Sequence, residues 1–191
     1  MARLQLFFSA DGHGDALKAR NLLAGATLTL TYCFPDTPAQ QPFAVVVRQS
    51  LQRAGFRITL NPIDSSSYDA TIGDRTNTCD LIRSSWTAAY PDGRSTLDAL
   101  LNGEHIVAKG NLNYSLLNDP SINMKLDRLN ALPRRPRADL TYGNLDKEIM
   151  VEYVPQIPTY NVAFFNLHGS KAHVFASPLH AQFNLVDAWV G

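Results

Sequence analysis

Apolar residues alternate strictly along Thr27-Leu-Thr-Leu-Thr-Tyr32, with Leu28, Leu30 and Tyr32 on one face and threonines on the other. That pattern predicts a half-buried strand. Phe56-Arg-Ile-Thr-Leu-Asn61 alternates in the same way, with Phe56, Ile58 and Leu60 inward. Between the two runs the period becomes helical. Phe43, Val46, Val47, Ser50, Leu51 and Ala54 fall on one stripe, Pro42 stands near the first turn, and Gly55 ends the helix. Strand, helix and strand with short connections make a right-handed βαβ unit, so the two strands are expected to be parallel.

Further elements follow on either side. Asp15 to Ala24 reads as a short helix capped by Gly25, and Ser65 to Gly73 as another, started by Asp64 or Ser65 as N-cap. Leu81-Ile82 lies in a third strand, Asp80 to Ser84, and Thr96 to Leu101 is a short helix ended by Asn102-Gly103. Asn111 to Leu116 is taken as an edge strand and Ser121 to Ala131 as a helix. Pro133-Arg-Arg-Pro-Arg137 interrupts the pattern. A helix resumes from Leu140 to Val154, and Thr159 to Leu167 reads as a strand after Pro155-Gln-Ile-Pro158. The tail, with Phe175, Phe183, Trp189 and Val190, is apolar with little period.

Composition narrows the class. The 191 residues, 45% hydrophobic and 18% charged, can build a substantial globular core. Seventeen basic residues balance seventeen acidic ones, which speaks against nucleic acid as a partner, since that needs a basic face. No apolar run approaches the ~20 residues of a membrane span. The start, Met1 to Ala10, meets Asp11, His13 and Asp15 before an export signal could form. As given, the chain is expected to act in the cytoplasm, or outside it if it is a fragment of a longer exported protein. Cys33 and Cys79 are expected at opposite edges of the sheet and therefore as two free thiols.

The order of motifs resembles the C-terminal lobe of the family 5 extracytoplasmic solute-binding proteins, the peptide, nickel and oligosaccharide receptors of ABC importers. Lys18-Ala-Arg-Asn-Leu-Leu23 is similar to the helix that opens that lobe. Gln49-Ser-Leu-Gln-Arg-Ala-Gly55 with Phe56 to Leu60 is similar to its helix end and following strand, and Tyr68 to its next helix. Asp80 to Asp92, carrying Trp86 and Tyr90, resembles its third strand and aromatic continuation. Asn113-Tyr114 with Asn118-Asp119-Pro120, Glu152-Tyr-Val-Pro-Gln-Ile-Pro-Thr-Tyr160, and Val186-Asp-Ala-Trp189-Val complete the series. The resemblance implies an α/β, periplasmic-binding-protein-like lobe with a parallel-core sheet flanked by helices. It divides the chain into an extension (1–14), the lobe (15–170) and a tail (171–191) that in the family packs on the other lobe.

The chain departs from that pattern in three ways. Peptide-binding members place an Asp three residues after the Trp, against the peptide's amino group; here Ala89 stands there. Dipeptide receptors carry an Arg after the first strand; here Cys33-Phe-Pro-Asp-Thr37 has none. The upstream lobe of the family has no counterpart in this sequence.

In open parallel sheets, ligands gather beyond the carboxyl ends of the strands. This selects Tyr32, Asp64, Trp86 and Tyr90 as the candidate ligand-binding residues, a mixed aromatic and polar pocket. The bland alternative is that Trp86 and Tyr90 fill the core under loops. His168 and His173 have no partner at ligand spacing, so no metal and no cofactor are expected. Ser65-Ser66-Ser67 with Asp64 suit a helix start better than a nucleophile. Asp92, Asp98 and Glu104 read as solvated. The Arg134, Arg135 and Arg137 cluster reads as a solvated turn or, less simply, a seat for an anion.

Two functions from different classes fit. One is a binding module for a small organic solute or peptide-type ligand, lacking recognition of a free amine. The other is a stand-alone cytoplasmic enzyme that shapes a hydrophobic substrate, of cyclase or isomerase type, by orientation alone; no catalytic residue can be named for it. The bare apolar tail predicts a partner lobe or a homo-oligomer, most simply a homodimer.

Overall fold

The computed structural model describes residues 20, 21, 23, 25–132, 138–162, 167–176 and 183–191. The βαβ unit is present: β1 (Thr29–Pro35), α1 (Gln40–Arg53) and β2 (Arg57–Ile63). β1 pairs in parallel with β2, from Thr29 opposite Arg57 to Pro35 opposite Ile63. The short β3 (Leu81–Ile82) joins the other edge of β1, also in parallel, so the sheet runs β2-β1-β3. Pro42 lies in the first turn of α1, where its missing N–H costs nothing. The helix packs Ala44, Val47 and Leu51 over the sheet, while Val46 and Ser50 of the expected stripe face outward, and Tyr32, Phe34, Ala44 and Ile58 form the buried centre.

The downstream half is helical. α2 (Tyr68–Ile72) is one turn, followed after β3 by α3 (Arg94–Leu101), a 3₁₀ turn at Gly103–His105, α4 (Pro120–Asn130) and α5 (Ala138–Glu152). Asp119 caps α4 by accepting from the Ser121 and Ile122 amides, and Pro120 takes the first helical position. Leu97, Leu101, Ile122, Leu126, Leu145 and Ile149 make a second core between α3, α4 and α5. α5 ends with Val154 in the left-handed region, φ +49°, its N–H bonded to the Ile149 carbonyl at 3.1 Å. The tail forms an antiparallel hairpin, β4 (Ala172–Ala176) with β5 (Phe183–Val190), in a sheet of its own.

Several expectations need correction. Cys33 and Cys79 are not free thiols but form a disulfide, with Cα atoms 5.8 Å apart. β1 is the central strand and pairs directly with β3, with Cys33 opposite Ile82, and the chain entering β3 brings Cys79 beside Cys33 rather than to the opposite edge. Asn111 to Leu116 is no strand. The buried side chains of Asn111 and Asn113 bond the local backbone: Asn111 donates to the Asn113 carbonyl, and Asn113 donates to the Leu117 carbonyl and accepts from the Leu117 amide. Such bonds compete with a ladder. Thr159 to Val162 and Leu167 are likewise outside any strand; 163–166 lie outside the described residues. α2 begins at Tyr68, with Ser67 rather than Asp64 or Ser65 at its N-cap. Asp92 and Asp98 are not simply solvated. Asp92 accepts from the Arg94 amide, and Asp98 accepts from Asn102 and pairs with His105. Most of the Asp15–Ala24 helix and the Arg134–Arg137 cluster fall outside the described residues.

Candidate functional site

The carboxyl ends of the three parallel strands bring Pro35, Ile63 and Arg83 to one edge of the sheet. There a cleft of about 150 Å³ opens, lined by Pro35, Tyr68, Asp69, Arg83, Ser84 and Tyr114. A wider depression of about 480 Å³ lies elsewhere, over the outer face of α1 at Val46, Gln49 and Arg53. It is open to solvent and away from the strand ends, so the smaller cleft is the stronger candidate.

Tyr68 builds the floor. It is buried, and its hydroxyl donates toward the carbonyls of Cys33 (3.2 Å) and Arg83 (2.5 Å), fastening α2 to the ends of β1 and β3. Tyr68→Phe leaves the Arg83 carbonyl short of a donor and is expected to cost roughly 1–2 kcal/mol in a denaturant titration.

Arg83 is the cation of the site. Its Nη2 donates to the Tyr160 hydroxyl at 2.8 Å and its Nη1 to the Ser84 carbonyl. The guanidinium lies over the Phe43 ring (5.0 Å to the centroid) and the Tyr160 ring (5.4 Å). Its Nε is buried without an acceptor. The exposed stretch after Val154 thus returns to the sheet through Tyr160, which also meets Phe43 edge-on at 5.9 Å.

The four residues selected from sequence hold separate partners. Tyr32 is in the core, 4% exposed, stacked on Phe34 at 5.7 Å. Asp64 is fully exposed and accepts from the Ser66 amide (2.8 Å) and hydroxyl (2.5 Å), which holds its carboxyl below the usual range. Trp86 and Tyr90 remain 40% and 39% exposed, so neither is core filling. Both belong to a loop knotted onto the start of α3. Trp86 Nε1 donates to the Ser95 carbonyl at 2.8 Å, and Ser95 Oγ donates to the Tyr90 carbonyl at 2.9 Å. Sequence reasoning passed over Arg83, Tyr114 and Tyr160. The signal for Arg83 was its place as the first cation past the carboxyl end of β3.

No group of three or more His, Cys, Asp or Glu side chains suited to a metal occurs among the described residues. No described helix is long and apolar enough to cross a membrane.

Burial raises the phenols of Tyr32, Tyr68, Tyr114 and Tyr142 above their ordinary value of 10.0. A raised folded pKa means the neutral phenol is the form that folds. Their contribution is full below pH 10 and is lost as pH rises beyond it, because the unfolded chain ionises first. Denaturant midpoints measured from pH 8 to 11.5 are expected to be flat to about pH 10 and then fall. A midpoint that holds to pH 11.5 would contradict this.

No protein-family model and no curated protein matches the sequence. Solved structures do match in fold. One is the "Clavulanic acid biosynthesis oligopeptide binding protein 2", with TM-score 0.85 and 21% identity over 95% of this chain and 34% of that one. A second is the ABC transporter-associated periplasmic binding protein DppA from Helicobacter pylori in complex with the peptide STSA. Its TM-score is 0.61 and its identity 19%, over 71% of this chain and 27% of that one. A third is NikA from Staphylococcus aureus in complex with Ni(L-His)2, with TM-score 0.62 and 18% identity over 74% and 30%. The chain spans about a third of the length of these proteins. It has the α/β fold, a parallel three-stranded sheet flanked by helices, of one part of the family 5 peptide- and nickel-binding proteins.

Proposed function

We propose that the chain is a solute-binding lobe whose ligand docks at the carboxyl ends of β1, β2 and β3. The cleft beside Arg83 carries this reading, because a guanidinium with a buried, unpartnered Nε stands at the place where open parallel sheets receive ligands. At about 150 Å³ it is smaller than the ~300 Å³ at which ligand pockets begin, so it takes one group of a ligand and not the whole. The rest of the solute is covered by a second surface, as in a two-lobed receptor. The region 15–170 supplies the lobe and 171–191 the tail that meets the other half.

The ligand pairs an acceptor group, carbonyl or carboxylate, for Arg83 with an apolar part for the half-exposed rings of Trp86 and Tyr90. Arg83 thus adds an acceptor to the small organic or peptide-type ligand expected from the sequence. Tyr32 supports the sheet beneath and Asp64 shapes the turn after β2. Ala89 supplies no carboxylate for a peptide ammonium, and an unpaired buried ammonium costs several kcal/mol. DppA, by contrast, is described with a bound peptide. Cys33–Cys79 and the likeness to periplasmic binding proteins favour an extracytoplasmic setting.

Calorimetry with N-acetylated and free-amine tripeptides of one sequence, bearing an aromatic side chain, tests the reading. Only the acetylated form is expected to bind, and Trp86→Ala is expected to weaken it by roughly 1–3 kcal/mol. Tight binding of the free-amine peptide, indifferent to Trp86→Ala, would show that both the site and the ligand class are wrong.

The tail supports association. Phe175, Val186, Trp189 and Val190 are 61%, 92%, 62% and 79% exposed on a hairpin stiffened by the stack of His173 on Trp189. A two-stranded hairpin alone is marginal in water. A homodimer or partner lobe covering this face is expected, and light scattering showing a clean monomer at high concentration would count against the dimer.

A further inference from the structure

We propose that the Cys33–Cys79 disulfide is a redox lock on the Arg83 cleft, holding β3 in place when oxidised and freeing the segment from Cys79 to Arg83 when reduced. The proposal concerns regulation of the site described above and rests on that cleft being the binding site.

β3 is weakly held for a strand that carries the cation. Its ladder to β1 covers only Leu81 and Ile82. Backbone bonds add the Asp80 N–H to the Thr31 carbonyl at 3.0 Å and the Arg83 N–H to the Cys33 carbonyl at 2.8 Å. The exposed Asp80 carboxylate accepts from the Thr31 N–H at 2.7 Å. All of this lies at a sheet edge, where short ladders open most readily. The one covalent hold is the disulfide, whose Cys33 end is fully buried in the central strand.

Cys33 is also where the cleft converges. Its carbonyl takes the Arg83 amide and the Tyr68 hydroxyl, and its sulfur lies 3.4 Å from Asn61 Nδ2 of β2. Cys79, partly exposed, is four residues before Arg83. A small dithiol attacks one sulfur of the protein disulfide, and its second thiol then closes on the first. The reagent ends as a cyclic disulfide, and its two electrons and two protons pass to Cys33 and Cys79, which become thiols.

The test uses the full chain, oxidised and then treated with dithiothreitol without denaturant, with thiols counted by a chromogenic disulfide. Hydrogen exchange is followed by mass spectrometry. On reduction, the peptide spanning 79–86 is expected to lose at least tenfold more protection than the peptide spanning α4. The Cys33→Ala/Cys79→Ala variant is expected to show the same local loss permanently and no response to the dithiol. Loop entropy returned to the unfolded state lowers protection in both peptides together, so a loss at 79–86 no larger than the loss at α4 would overturn the lock and leave a general staple. A disulfide that resists the dithiol in the folded chain would overturn it as well. None of these readouts needs a ligand, so a failure of the ligand-binding reading is seen separately, by calorimetry.

Discussion

The Cys33→Ala/Cys79→Ala variant is expected to be less stable than the oxidised chain by about 4 kcal/mol, the largest effect foreseen for any change in the sheet. The disulfide closes a loop with a sequence separation of 46, and the chain entropy such a loop withholds from the unfolded state amounts to about 4 kcal/mol at 25 °C. The loop contains the last residues of β1 and all of α1, β2 and α2, with Phe34, Ala44 and Ile58 of the buried centre. For a chain of this length the melting temperature is expected to fall by roughly 8–16 °C, which scanning calorimetry resolves easily. A shift under about 2 °C would mean that the cross-link constrains little that the folded contacts do not already constrain.

The βαβ unit was legible because period carries it. Leu30 and Tyr32, then the helical period of Phe43 to Ala54, then Ile58 and Leu60 state strand, helix and strand, although Leu28, expected inward, lies before β1 and is exposed. Parallel pairing followed from connection length. The order of strands did not. β1 lies between β2 and β3, and the expectation of free thiols, which rested on Cys33 ending the first strand and Cys79 beginning the third, fails against the disulfide. Nothing in a one-dimensional pattern distinguishes a central from an edge strand when both are half polar. Asn111 to Leu116 was misread for a different reason. Apolar and polar residues alternate there, but the asparagines spend their amides on nearby backbone and leave no ladder to form.

The site was legible in location more than in detail. The rule that ligands collect at strand ends points to the edge of the sheet where the Arg83 cleft opens, but none of Tyr32, Asp64, Trp86 and Tyr90 lines that cleft. It could not say that Tyr32, in strict alternation with Leu30, turns into the core. Nor could it say that Arg83 is flanked by Phe43 and Tyr160, since those three residues come from α1, the end of β3 and the stretch after α5. A site assembled from segments so far apart leaves no local spacing to read.

Gly103→Ala is expected to destabilise the helical half by roughly 3–5 kcal/mol. A Cβ at Gly103 would lie 2.6 Å from the backbone Cα of Asn118, too close for any real contact, so the backbone itself must move. The movement spreads through an asparagine network. The Gly103 N–H donates to Asn123 Oδ1 at 2.9 Å, Asn123 Nδ2 donates to Asn118 Oδ1 at 2.9 Å, and Asn102 Nδ2 reaches Asp98 and Asp127. Asn102 and Asn123 are buried. Overpacking of this kind costs about 1–3 kcal/mol, and a buried amide left without its partner costs a similar amount again. The neighbouring helix core of Leu101, Ile122 and Leu126 hangs on the same turn. Urea titration followed by circular dichroism at the helix band is the direct measurement. Asn118→Gly in the same chain clears the side-chain part of the clash but not the backbone part, so it is expected to restore only a minority of the loss. Wild-type stability in the single Gly103→Ala variant would show that the Gly103–Asn118 approach is looser than this geometry.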